Sequence, residues 1–196
     1  LFYHMITRLS AFCLLVFCMI SCKQKKEESK NFISIVSLIK KQVAHVDTSL
    51  YPIMKINIKD SLNSDTVYVP REEFADLAKD FLSIPDLSDQ KVARRFKEEP
   101  AIYEKLINRV IITYTPIDFE KEEIKKQEML VTPSTAGDKV NNIIVIKEIS
   151  NRDSFLQKKM LWQLDKYFQI ITTSQKKGKP EESTIIKVSW NEDKNR

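Results

Sequence analysis

The chain holds 196 residues, 42% hydrophobic and 30% charged, and its 32 basic and 27 acidic side chains leave a formal net charge of +5. That composition excludes a disordered or collagen-like chain, and the mild, dispersed charge gives no footing for nucleic-acid binding. With only two glycines in the chain, a glycine-cradled phosphate loop is excluded too, because such loops need several glycines at fixed spacing.

Residues 1–21 contain no acid and a single Arg, Arg8, which precedes the apolar run from Leu9 to Ile20. As a helix this run spans about 18 Å, well short of the roughly 30 Å core of a bilayer. A short apolar run behind a positive segment and ahead of a small residue is the pattern of a cleaved signal peptide. Either Leu1 or Met5 fits as its start. The run ends in Met19-Ile20-Ser21-Cys22, which resembles the lipobox of bacterial lipoproteins, with Met and Ile departing from the commonest residues at the first two positions. The resemblance covers residues 5–22 and carries nothing about the domain behind them. It implies cleavage before Cys22, a diacylglycerol thioether on the Cys22 sulfur and an acylated (palmitate-type) amine. Two or more acyl chains anchor a protein stably where one does not.

Residues 23–30, Lys-Gln-Lys-Lys-Glu-Glu-Ser-Lys, contain no apolar side chain and are expected to form a solvated tether. In the sorting scheme of Gram-negative lipoproteins an Asp just after the acylated Cys favours the inner membrane. Lys23 stands there instead, so the resemblance implies the outer membrane. Short Lys/Glu-rich stretches at this point also resemble surface-export signals of some bacterial groups. Cys13 and Cys18 fall in the removed segment and Cys22 carries lipid, so the domain folds without a disulfide. The expected organisation is a signal peptide over 1–21, the acylated Cys and charged tether over 22–30, and a single α+β domain over 31–196.

Within that domain, Phe32, Ile35, Val36, Ile39, Val43 and Val46 recur at spacings of three and four, which predicts a helix over 31–46. Packing on the domain's own sheet is the favoured use of this face; lying on the membrane is the alternative. Tyr51 to Val69 predicts a hairpin turning through Asp60–Asp65. Pro70 opens a second helix, with Glu72 and Glu73 in its first turn and a stripe of Phe74, Leu77, Ala78 and Phe81. Pro85 ends it. Ser88 is the expected N-cap of a third helix to Glu99, with Leu87 and Val92 spaced as a hydrophobic staple, and Pro100 stops that helix. From residue 108 the period changes to two and the residues become β-prone. Six strands are predicted: 108–115, 126–132, 141–149, 155–164, 167–174 and 183–190. Their short connections imply an antiparallel meander. The third, apolar on both faces, is expected to be central and covered on both sides. The predicted fold is α+β: N-terminal helices and a hairpin packed on a six-stranded antiparallel meander sheet.

Outside the signal segment the chain has one His, His45, and no free Cys. Cys–His catalysis and a protein-built zinc site therefore have no residues to use, and His45 near a helix end suits the helix dipole better than chemistry. Paired carboxylates, as in glycoside hydrolysis, have many candidates, among them Asp60, Asp65, Asp86, Asp118, Asp153 and Asp165, most of them in turns where Asp is common anyway. No cofactor, metal site or catalytic residue is expected. The remaining chemistry is aromatic: Tyr114, Trp162, Tyr167, Phe168 and Trp190 all fall on predicted strands. They are either a packed core or, with Tyr114, Trp162 and Trp190 lining it, a concave face for an apolar or sugar-like ligand. Two functional readings follow. The first is a non-enzymatic envelope lipoprotein, held by the acyl anchor on Cys22 and contacting an envelope protein partner. The second is a carrier or sensor of an apolar small molecule that uses the curved face of the sheet.

Overall fold

The first regular element of the described residues begins where the sequence supplies a cap. Ser34 accepts the backbone N–H of Ser37 through its hydroxyl, a standard N-cap contact, and α1 runs Ile35–Thr48. Its face of Ile35, Val36, Ile39, Val43 and Val46 is buried, so the helix packs on its own sheet. The computed structural model describes residues 31–59 and 64–191. The expected signal segment, Cys22, the expected tether and residues 60–63 of the expected turn lie outside them. Among the described residues no helix is long and apolar enough to cross a membrane.

Strands β1 (Ile53–Ile58) and β2 (Ser64–Val69) form the expected hairpin. Pro70 then leads into a 3₁₀ turn at Arg71–Glu73 and two single helical turns, α2 (Phe74–Leu77) and α3 (Lys79–Leu82). The expected continuous helix is thus broken at Ala78, yet its stripe survives: Phe74, Ala78 and Phe81 are fully buried. The third helix is corrected more strongly. It covers only Gln90–Ala93 (α4), and its N-cap is Asp89, whose carboxylate accepts the Lys91 N–H. With the cap moved by one residue, Leu87 and Val92 no longer have the staple spacing. The chain then turns into two short strands, β3 (Phe96–Glu98) and β4 (Ile102–Glu104), where the helix had been expected to continue and then stop.

The six predicted strands are present: β5 (Arg109–Pro116), β6 (Ile124–Thr132), β7 (Lys139–Ser150), β8 (Ser154–Gln163), β9 (Tyr167–Lys176) and β10 (Glu182–Ser189). The sheet, however, has ten strands rather than six, in the order β2-β1-β10-β9-β8-β7-β6-β5-β3, with β4 also on β5. The meander from β5 to β10 is the middle of it. The hairpin does not pack on this sheet but extends it, β1 pairing antiparallel with β10 through Met54↔Ser189 to Ile58↔Ile185. At the far edge β3 and β4 share one neighbour, since Phe96–Glu98 pair with Tyr114–Pro116 and Ile102–Glu104 with Arg109–Ile111. Pro100 lies between them. Proline has no N–H to give a ladder and is confined to edges and breaks, so one edge strand becomes two.

The helices cover one face only. Met129, Ile143, Val145, Met160, Trp162, Phe168 and Val188 point into that layer and are buried. β7 is interior to the sheet, as expected, but no described element covers its second face: Ile144 and Ile146 are only partly buried.

Candidate functional site

The period-two pattern brings the large aromatic residues together. Cross-strand register sets Trp162 between Ile143 on β7 and Phe168 on β9, and Phe168 beside Val188 on β10. Trp162 and Phe168 stack at 5.0 Å between ring centroids. Trp190, just past β10, lies 5.5 Å from Trp162. The helical turns close over them: Phe81 meets Trp162 edge-on at 5.1 Å, and Phe74 meets Trp190 edge-on at 5.1 Å, the arrangement that ring quadrupoles favour. Tyr114 belongs elsewhere on the same face, where it packs on Phe32 at 4.7 Å and its hydroxyl accepts the Ile33 N–H at 3.3 Å. Burial pushes the Tyr114 phenol above its ordinary pKa, partly opposed by that N–H.

Of the three expected ligand-face residues, then, Trp162 and Trp190 are neighbours and Tyr114 is not part of their cluster. All three are buried among other side chains, with Phe74, Phe81 and Phe168 filling the space beside the tryptophans. Among the described residues three buried side-chain polar atoms have no hydrogen-bond partner: Nε1 of Trp162 and Nε1 of Trp190 in this cluster, and the hydroxyl of Ser189, which alternates with the inward-facing Val188.

The carboxylates named from sequence occupy different connections, each with a local task. Asp86 accepts from the Ser88 N–H and hydroxyl and from the Ser34 hydroxyl. Burial raises its pKa, but these bonds and Lys40 outweigh that and leave it below the ordinary range. Asp118 pairs with Lys121 at 2.7 Å and Asp153 lies 4.0 Å from Lys177. Asp165 is held by Gln42, Asp65 is exposed on β2, and Asp60 lies outside the described residues. His45 is exposed in the last turn of α1. Among the described residues no group of three or more His, Cys, Asp or Glu is placed to hold a metal ion.

A surface feature escaped the sequence reading. Arg109 opens β5, Thr132 closes β6, Lys139 opens β7, Gln163 closes β8, Ser189 closes β10 and Ile53 opens β1. In an antiparallel sheet all of these lie at one end. That end carries Leu50, 99% exposed, before β1 and Leu106, 94% exposed, at the tip of the β4–β5 hairpin. Tyr51, Tyr103 and Ile107 beside them are also exposed. Between the two leucines a recess of about 260 Å³ is lined by Arg109, Lys139, Asn142, Gln163, Asp165 and Lys166, among others. A periodicity scan is blind to Leu50 and Leu106 because both sit in connections, where spacing has no face to define.

Comparison with protein-family models, with curated proteins and with solved structures found no match to this chain.

Proposed function

We propose that this chain is a lipid-anchored envelope protein whose α+β domain works by binding and not by catalysis, with the outer membrane as its site. The observation that carries the reading is Met19-Ile20-Ser21-Cys22 followed by eight residues without an apolar side chain. An acylated Cys22 anchors the protein, and residues 23–30 span the headgroup region. Lys23 after the Cys favours the outer over the inner membrane. The domain's own contribution is a sheet that, among the described residues, has one open face and two unpaired edges. Edge β2 carries the β-prone run Thr66-Val67-Tyr68-Val69 with Val67 and Tyr68 exposed, a surface suited to an extended segment of an envelope partner.

The test is the intact mass of the protein purified with its lipid, beside a Cys22→Ala variant. A mature mass beginning at Cys22 plus acyl chains, lost with membrane association in Cys22→Ala, is the expected result. An unacylated mature mass that begins elsewhere overturns the anchor.

A second reading, carriage of an apolar small molecule, draws on the unpaired indole N–H groups of Trp162 and Trp190. A ligand that displaced α2 and α3 would meet both donors. The filled aromatic cluster favours the first reading, and a native mass spectrum separates the two. A bare mass is expected. A reproducible adduct that disappears in Trp162→Ala transfers the function to carriage.

A further inference from the structure

We propose that β2 is a self-pairing edge, through which two copies of this chain join their sheets about a two-fold axis at Val67. The inference rests on the reading of β2 as a binding edge and names its partner as a second copy; it does not depend on the acyl anchor.

The first observation is that the two edges of the sheet differ. On the β5 side the edge consists of β3 and β4, three residues each, interrupted by Pro100 and bearing Lys97. Short strands, proline and lysine are the devices that keep an edge from pairing further. β2 has none of them. Its six residues, Ser64-Asp65-Thr66-Val67-Tyr68-Val69, contain no Lys, Arg, Pro or Gly. They pair with β1 from Ile53↔Val69 to Ile58↔Ser64 without a register shift. Among the described residues nothing pairs with the other side of β2, and Val67 and Tyr68 are 40% and 69% exposed.

The second is that the strand complements itself. A two-fold axis normal to the sheet makes the pair antiparallel and keeps each face of one copy continuous with the same face of the other. Opposite residues in a ladder share a face, so the axis must pass through a residue and not between two. Centred on Val67, the pairs are Val67 with Val67, Thr66 with Tyr68 and Asp65 with Val69. β-branched and aromatic–β-branched pairs of this kind stabilise a sheet. The one charge of the strand is also placed well. The two Asp65 residues lie four residues apart along the strand and one strand across, about 14 Å, beyond the ~8 Å screening length at physiological salt. A parallel pair in register would set them side by side, which opposes it.

The third is closure. An isologous contact uses the same patch on both copies, so one pairing event consumes both open edges. The dimer then ends on β3 and β4 at either side, and assembly stops. Pairing of β2 with the β3–β4 edge of a further molecule would run on without closing, and Pro100 interrupts that edge. A second copy also brings a strand already held extended along β1. It therefore avoids the ordering cost that a disordered partner segment carries.

The experiment uses the full chain purified with its lipid in detergent. Intact mass is read first, and absence of lipid on Cys22 overturns the anchor reading while the pairing is still read in the steps that follow. Wild type is expected to sediment as a reversible dimer. Val67→Cys is expected to give a disulfide-linked dimer under mild oxidation, because facing Cβ atoms stand about 4.5–5.5 Å apart. Wild type and Leu106→Cys, at the far edge, serve as controls without that link. Val67→Lys and Val67→Glu are each expected to lose the dimer alone, since like charges meet on the axis, and to regain it when mixed in equal amounts. An unchanged urea midpoint shows that each variant folds. A wild type that is monomeric at every concentration, with Val67→Cys no more linked than Leu106→Cys, overturns the proposal. So does a dimer that persists in unmixed Val67→Lys and Val67→Glu, because pairing then runs through another surface. A monomer whose position 67 is shielded from thiol reagents only in intact envelopes assigns β2 to a different protein, which overturns the second copy and leaves the binding-edge reading standing.

Discussion

At the scale of single residues, the aromatic cluster concentrates the stability of the domain. Phe81 is fully buried against Trp162 and Phe168. Its change to Ala removes both contacts and leaves a cavity, so a loss of about 3–5 kcal/mol is expected in urea unfolding. Trp162→Phe is expected to cost far less, within about 1.5 kcal/mol of wild type, because the smaller ring also removes a buried N–H that has no partner. Leaving such a donor unpaired costs about 1–3 kcal/mol. A Trp162→Phe loss as large as that of Phe81→Ala would mean that the indole N–H is in fact satisfied. Asp86 contributes a pH dependence. Its folded pKa is depressed despite burial, through Ser88, Ser34 and Lys40, so it stabilises the native state above its unfolded value near pH 3.9. That contribution is lost as the pH falls through the folded pKa. The stability difference between wild type and Asp86→Asn is therefore expected to be about 1 kcal/mol at neutral pH. It should shrink steadily on acidification below about pH 4.

At the scale of elements, the β8–β9 turn shows how a helix and a strand connection fix each other. Asp165 sits at φ 63°. Its carboxylate accepts from the Gln42 side-chain amide at 2.9 Å, and its N–H donates back to the Gln42 oxygen at 2.7 Å. Asp165→Gly and Asp165→Ala both lose the carboxylate, but only Ala pays for the left-handed backbone, about 1 kcal/mol. The Ala variant is expected to melt below the Gly variant by that margin. Equal melting temperatures would mean that the turn relaxes. Local pairs of this kind are invisible in sequence, since Gln42 and Asp165 are 123 residues apart. The six meander strands, by contrast, were legible to within two residues at each end, because Ile143-Ile144-Val145-Ile146 and its neighbours combine β-branching with turn residues at regular intervals. The strand within 88–99 is hidden because Phe96-Lys97-Glu98 has a single β-prone residue; it is a strand because Tyr114–Pro116 offers an edge. The aromatic residues shared a face, as the alternation of two predicts. Whether that face was open or filled depended on Phe74 and Phe81, whose helical turns had to be placed in space first.

At the scale of the molecule, the order of strands makes the last one decisive. β1 has two neighbours, β2 and β10. Residues 53–69 therefore join the sheet only through residues 185–189, more than 120 positions later. A two-stranded hairpin alone is marginal in water, so the first hairpin gains its stability only once the end of the chain is available. The same segment supplies Val188 and Trp190, both buried against the helical layer. A chain ended at Lys176 lacks β10 altogether. It is expected to lose the pairing of β1 and the cover of Phe74 together, leaving β9 as an unprotected apolar edge. The truncated protein should show no cooperative urea transition and no near-ultraviolet tryptophan signal from Trp162, and it should aggregate on expression. Retention of a sharp transition would mean that the meander from β5 to β9 with its helices is a folding unit in its own right and that the hairpin is an accessory. The long separation of β1 from β10 also predicts slow refolding, since distant contacts must close before they stabilise anything. A stopped-flow refolding time in the millisecond-to-second range is expected. Mutations in β10 are expected to slow folding, and mutations in the exposed edge strand β2 to leave its rate unchanged while speeding unfolding.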